Sequence, residues 1–271
     1  MVREAGDGMK TAFGYHGGKS RYTDWITLHM PDHTTYVEPF AGSAAVLLAK
    51  RPAVVEVIND LDGAVCAFFT ALRDTPAELE RVCALTPYSR EEFLRCRRGV
   101  DEPGISDLER ARRFFTIITQ GYGSVPTSSG WSPPTLVDNE AAKVGSLIDR
   151  FHVIGDRLRN VHIECRHAAE VMATYDHPDT LHYVDPPYLW QVRSWAAGQS
   201  KKADYRIELQ SNEDHIGLAE TLTRLKGAVI LSGKPHPLYD NELYKDWWTV
   251  DGPNGERLWS NRPLMEHLSL F

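Results

Sequence analysis

Nowhere in the 271 residues does an apolar run approach the roughly 20 residues needed to cross a bilayer, and the opening MVREAGDGMK lacks the apolar stretch of a secretory signal. A cytoplasmic chain without membrane contact is expected. Cysteine is scarce: Cys66, Cys83, Cys96 and Cys165 are widely spaced and form no CxxC pair, which excludes a zinc ribbon and a disulfide framework. No metal is expected, and the thiols read as buried or idle. Positive charge is not in excess either. A formal net charge of -7 excludes bulk attraction to nucleic acid, so any DNA contact must come from a local concentration of basic residues. No GxGxxG follows the first expected strand, which counts against a nucleotide-dependent oxidoreductase. Internal repeats and low-complexity segments are absent. What is present is a soluble globular composition, 42% hydrophobic and 25% charged, at a length that suits one large domain carrying an insertion.

The first ten residues read as a loose tail, with structure beginning near Thr11. From Tyr36 the pattern is strand, Gly-containing turn (Phe40 to Ser43), helix start in AAVLLAK, and a second strand VVEVI ending at Asn59-Asp60. Such a βαβ unit requires a parallel sheet, which places ligands at the carboxyl ends of its strands, where Gly42 and Asp60 sit. Between Asp74 and about Asn160 the pattern becomes helical, in PAELERVCAL, SREEFLRCRRG and SDLERARRFFTIIT, with the irregular stretch GYGSVPTSSGWSPP after them. The sheet pattern then returns with VHIEC, TLHYVDPPY and, after the helix SNEDHIGLAETLTRLK, GAVILSG. A Pro-Asn-Gly turn in the last segment predicts a hairpin closing one sheet edge.

The tetrapeptide Asp185-Pro186-Pro187-Tyr188 follows the apolar run Leu181 to Val184, which delivers it to a strand's carboxyl end. A turn after a strand needs no more than these residue types. They also suit methylation of an exocyclic amine, whose lone pair is delocalised into its ring and whose two protons each need an acceptor. Asp185 supplies one; the two stiff prolines lack a competing donor and can present the Pro186 carbonyl as the other. Tyr188 offers a flat face to a base swung out of the duplex.

With this motif, the blocks Phe13-Gly14-Tyr15-His16-Gly17-Gly18-Lys19 and Val37-Glu38-Pro39-Phe40-Ala41-Gly42-Ser43-Ala44 make the chain resemble the Dam-type family of DNA adenine-N6 methyltransferases, from about Thr11 to the end. The resemblance implies an α/β fold: a Rossmann-like, S-adenosylmethionine-dependent methyltransferase sheet formed by residues 1–70 and 160–271, with an inserted helical target-recognition domain over 71–159. It implies catalysis by Asp185, Pro186, Pro187 and Tyr188, and cofactor contacts from Tyr15, Lys19, Glu38, Pro39, Phe40, Gly42, Asp60 and Asp185. Asp60 matches an acidic residue used on the adenosyl group; helix capping of LDGAVCAFF is its other reading. The chain departs from the pattern at Ala44, where most members carry a second glycine, and at Lys234, which stands where an aromatic residue is expected.

The implied partner is double-stranded DNA, the implied state a monomer, and restriction-modification one setting for such an enzyme. Arg95, Arg97, Arg98, Arg110, Arg112 and Arg113 in the insert could meet phosphates, although interleaved acids also describe a solvated helix pair. The loop from Gln120 to Trp131 is the better candidate for base contact. The stretch from Leu189 to Ile207, with Trp190, Arg193, Trp195, Lys201, Lys202 and Arg206, suits a loop over a flipped base. Rival readings are methylation of the cytosine N4 amine and a catalytically silent DNA-binding module.

Overall fold

The computed structural model describes residues 9–126, 130–133, 139–192, 206, 209 and 211–264. Most of the expected N-terminal tail lies outside this set, as do Arg193, Trp195, Lys201 and Lys202 and the residues 127–129 of the expected base-reading loop.

The elements run in chain order as α1 (Thr23–Leu28), β1 (Thr35–Glu38), α2 (Ala45–Ala49), β2 (Val55–Asn59), α3 (Gly63–Asp74), α4 (Pro76–Ala84), α5 (Arg90–Gly99) and α6 (Asp107–Gln120). They continue with α7 (Glu140–Ile148), α8 (Phe151–Leu158), β3 (Val161–Glu164), α9 (Ala168–Thr174), β4 (Thr180–Val184), α10 (Asn212–Thr223), β5 (Ala228–Gly233), β6 (Trp248–Asp251) and β7 (Arg257–Ser260). The sheet order is β3-β2-β1-β4-β5-β7-β6. β3, β2, β1, β4 and β5 are parallel, whereas β7 pairs antiparallel with β5 and with β6, giving the predicted edge hairpin. Its turn places Asn254 and Gly255 at positive φ.

After β1 the chain builds outward to β2 and β3, then returns to the other flank of β1 as β4. The reversal between β1 and β4 opens a crevice at their carboxyl ends, the usual ligand site of a doubly wound sheet. β4 and β5 are buried at every position, as expected of strands covered on both faces. Alternation divides their side chains: Leu181, Tyr183, Ala228 and Ile230 join one core, and Val184, Val229 and Leu231 the other.

The helices begin where the sequence supplies caps. Ser89, Ser106 and Asn139 accept from the N–H groups of Glu92, Glu109 and Ala142, and Ser211 forms a reciprocal capping box with Asp214. At the start of α3 the cap is Asp62, which accepts from the Ala64 N–H at 2.9 Å, and not Asp60. α3 packs on α6 and α8. Phe13, Phe68, Phe69, Phe114, Phe115 and Phe151 meet there with ring centroids 5.1–6.0 Å apart. Each ring taken from water contributes about 1.5–3 kcal/mol. The helices following α3 thus share one continuous core with the first sheet face.

Candidate active site

A cavity of about 470 Å³ opens at the carboxyl ends of β1, β2 and β4. Tyr15, Lys19, Glu38, Pro39, Phe40 and Gly42 line it, as do Asp60, Asp185, Pro186, Pro187 and Tyr188; the fold therefore gathers every residue nominated for catalysis or cofactor contact. Three carboxylates, Glu38, Asp60 and Asp185, follow or end three neighbouring strands.

The loop after β1 is built on backbone geometry. Gly42 has φ +49°, and a Cβ there would stand 3.0 Å from Cδ1 of Tyr15. Tyr15 therefore packs on bare glycine backbone. The Gly42 N–H donates to Asp60 Oδ2 at 3.0 Å and the Asp62 N–H to Oδ1 at 2.9 Å, so Asp60 braces the loops after β1 and β2 and keeps further lone pairs for a ligand. Burial raises the Asp60 carboxyl to about 6 against the pull of these N–H groups. Ala44, the departure noted in the sequence, has φ 52° and ψ 34°: the second glycine position is a left-handed one, which alanine occupies here as the N-cap of α2.

Glu38 is 3% exposed. Its Oε2 accepts from the Tyr36 hydroxyl at 2.8 Å and the Leu47 N–H at 3.0 Å, tying β1 to α2. Burial lifts its carboxyl to about 8, opposed by those two hydrogen bonds. Asn59, which composition did not single out, joins three loops: its amide donates to the carbonyls of Pro39 and Arg166 at 2.9 and 3.1 Å and accepts from the Arg166 N–H at 3.0 Å.

At the end of β4, Asp185 Oδ2 accepts from Lys19 Nζ at 2.7 Å, and the same ammonium donates to the Gly17 carbonyl at 2.9 Å. Oδ1 is buried without a hydrogen-bond partner among the described residues. Burial raises Asp185 to about 6, with Lys19 pulling the other way. Lys19 Nζ also lies 4.8 Å from the centre of the Tyr188 ring, a cation–π contact. The Tyr188 hydroxyl donates to Glu256 Oε2 at 2.6 Å, and Glu256 Oε1 pairs with Lys234 at 3.1 Å. Lys234, expected to be aromatic, thus serves an ion pair.

Of the six arginines considered for phosphate contact, four are engaged by carboxylates. Arg112 binds Glu92 and Glu109, Arg113 binds Glu102 and Glu109, Arg95 pairs with Glu92, and Arg110 lies 3.8 Å from Asp101. The loop expected to read bases leaves α6 through a bridge between Gly121 and Trp131, with Tyr122 54% exposed beyond it. Arg206 bonds Asp62 at 3.0 Å and also reaches Asp101, so it links the cavity rim to the insert. Among the described residues no helix is long and apolar enough to cross a membrane, and no group of three or more His, Cys, Asp or Glu is placed to hold a metal.

No curated protein matches the chain. The model of D12 class N6 adenine-specific DNA methyltransferases matches residues 15–252, a span that includes Tyr15 to Lys19, Val37 to Ala44, the helices between β2 and β3, and Asp185 to Tyr188. That match favours neither cytosine methylation nor a silent binding module. With nearly nine-tenths of its length covered, the chain belongs to the D12 class N6 adenine-specific DNA methyltransferase family and is an enzyme that methylates adenine N6 in DNA.

Proposed function

We propose that the methyl donor is S-adenosylmethionine, bound in the cavity beside β1 and β2, and that the target adenine enters at Asp185 to Tyr188. The observation that carries this reading is the state of Asp185: Lys19 fixes Oδ2, while Oδ1 is enclosed with no hydrogen-bond partner among the described residues. An enclosed acceptor costs free energy until a donor arrives, and an adenine amine is such a donor.

The residues fit the cofactor. Gly42 lets the backbone approach a ligand where any side chain would strike Tyr15, and Asp60 keeps acceptor capacity for ribose hydroxyls. When bound, S-adenosylmethionine supplies an electrophilic methyl carbon on a sulfonium. The protein's part is to prepare the amine. Asp185 Oδ1 and the Pro186 carbonyl would accept hydrogen bonds from the two amine N–H groups, which favours the tetrahedral nitrogen of the transition state over the planar ground state; one of those protons is then lost once the methyl is in place. Tyr188 stacks on the ring, offsetting the few kcal/mol lost when a base leaves the duplex. Lys19 keeps Asp185 ionised and aimed. Tyr15, Pro39 and Phe40 are assigned to the cofactor, and Pro187 stiffens the turn. Residues 71–159 are proposed to read DNA, chiefly through the loop leaving α6 at Gly121, with the enzyme acting as a cytoplasmic monomer on double-stranded DNA.

The test is incubation with tritiated S-adenosylmethionine and mixed-sequence duplex DNA, followed by hydrolysis to nucleosides. Label is expected in N6-methyldeoxyadenosine. Asp185→Asn should lower transfer by about 10²-fold or more while cofactor binding stays measurable. Full activity in that variant, or label in methylcytosine, would overturn the assignment.

A further inference from the structure

Beyond the residues that line the cavity, one ion pair is built against its wall. Glu256 and Lys234 do not line the cavity, and Glu256 is 5% exposed. Both are held by the sheet: Lys234 follows the last residue of β5, Glu256 precedes the first of β7, and Gly233 and Arg257 are register partners between those strands. The backbone of Glu256 is fixed as well, since its carbonyl accepts from the Gly252 N–H at 2.7 Å and its N–H donates to the Pro253 carbonyl at 3.1 Å. Lys234 is pinned a second time by the Asn254 carbonyl at 2.6 Å. The carboxylate held by these constraints meets the Tyr188 hydroxyl at 2.6 Å.

We propose that Glu256, clamped by Lys234, is a positioning residue for methyl transfer: it tethers the Tyr188 hydroxyl and so fixes the ring plane on which the extruded adenine stacks. The inference rests on the reading of Tyr188 as the stacking platform. A tyrosine anchored only at Cβ can swing about two side-chain torsions, whereas one also bonded at its far end to a carboxylate on a backbone fixed beside the sheet cannot. Misplacement of a bound base by an ångström is enough to cost one to two orders of magnitude in rate. The pair also sets the field at Asp185. Lys19, Glu256, Tyr188, Tyr183 and Glu38 face that carboxylate; Glu256 opposes its ionisation, and Lys234 offsets Glu256.

The experiment compares single-turnover methyl transfer to mixed-sequence duplex DNA, at saturating S-adenosylmethionine, in Glu256→Ala, Glu256→Gln, Tyr188→Phe, Tyr188→Ala and the Glu256→Ala/Tyr188→Phe double variant. Glu256→Ala and Tyr188→Phe should each slow transfer on the order of tenfold or more. Cofactor binding, measured by equilibrium dialysis, should change less than about twofold, and the double variant should be no slower than the worse single one. Glu256→Gln keeps an acceptor, so it should fold and recover most of the rate, with the acid limb of its pH profile displaced to lower pH. Wild-type turnover in Glu256→Ala, multiplicative losses in the double variant, or an unmoved acid limb in Glu256→Gln would overturn the proposal. If Tyr188→Ala itself transfers normally, the stacking reading fails; if Tyr188→Ala is crippled and Glu256→Ala is not, only the tether fails.

Discussion

Glu38 carries the sharpest physical prediction, because it is a buried acid among partners that Gln can keep. Its carboxyl rises from 4.5 in the open chain to about 8 in the folded protein, chiefly because burial penalises the charge. A group whose folded value lies above its unfolded value contributes stability that is fully present below about pH 4.5 and lost as pH rises through about 8. Over most of that window the folded state holds a proton the unfolded state has released, and stability falls by roughly 1.4 kcal/mol per pH unit. Between about pH 6 and pH 9 the wild type should therefore lose about 3 kcal/mol that Glu38→Gln keeps. The amide can still accept from the Tyr36 hydroxyl and the Leu47 N–H, so the substitution removes the charge without emptying the site. Urea denaturation at half-unit pH intervals measures the difference, and the other carboxyls with raised values, Asp60, Asp62 and Asp185, are present in both proteins. Parallel stability curves would show that Glu38 is ionised in the folded state and would refute the reasoning.

Gly42→Ala should fold yet weaken S-adenosylmethionine binding about tenfold or more, since its methyl needs the space of the Tyr15 ring at a positive φ; unchanged binding in equilibrium dialysis would remove the loop from the cofactor site. Ala44→Gly should relieve left-handed strain of about 1–2 kcal/mol, part of it returned as chain entropy, and raise the melting temperature by about 2 °C. A fall would mean that the alanine methyl packs better than the strain costs. Arg112→Met should destabilise folding by about 3 kcal/mol in urea, because Glu109 and the buried Glu92 lose a partner. Normal stability with a shallower salt dependence of DNA binding would return this arginine to a phosphate-contacting role.

What could be read in the sequence was local. Gly42, Asp60 and Asp185 stand out because strand ends followed by turn residues are short-range patterns, and a parallel sheet gathers such ends without further instruction. The helices between Asp74 and Asn160 were legible through the periodic pattern of SREEFLRCRRG and SDLERARRFFTIIT, which became α5 and α6. Partnerships formed across the fold were not. Glu256 lies 68 residues from the hydroxyl it accepts, and no spacing announces that pairing. Lys234 was visible only as a missing aromatic, and its ion pair depends on the antiparallel register of β5 with β7. Asp60 and Asp62 are both plausible caps by type; two residues of backbone path decide that Asp62 takes the helix and Asp60 takes the loops. The insert arginines showed their interleaved acids in sequence, but which charges remain for a ligand depends on how α5 and α6 pack.

The phenylalanine cluster bears on how such an enzyme could change its target. Because α6 and α8 bury their rings against α3 and Phe13, the segment proposed to read DNA is not a module that could be exchanged whole for another. Replacing it would open the core beneath the catalytic sheet. Under the proposed reading, new sequence preferences are expected from changes in the loop between Gly121 and Trp131, which leave this core intact, and not from shuffling domains.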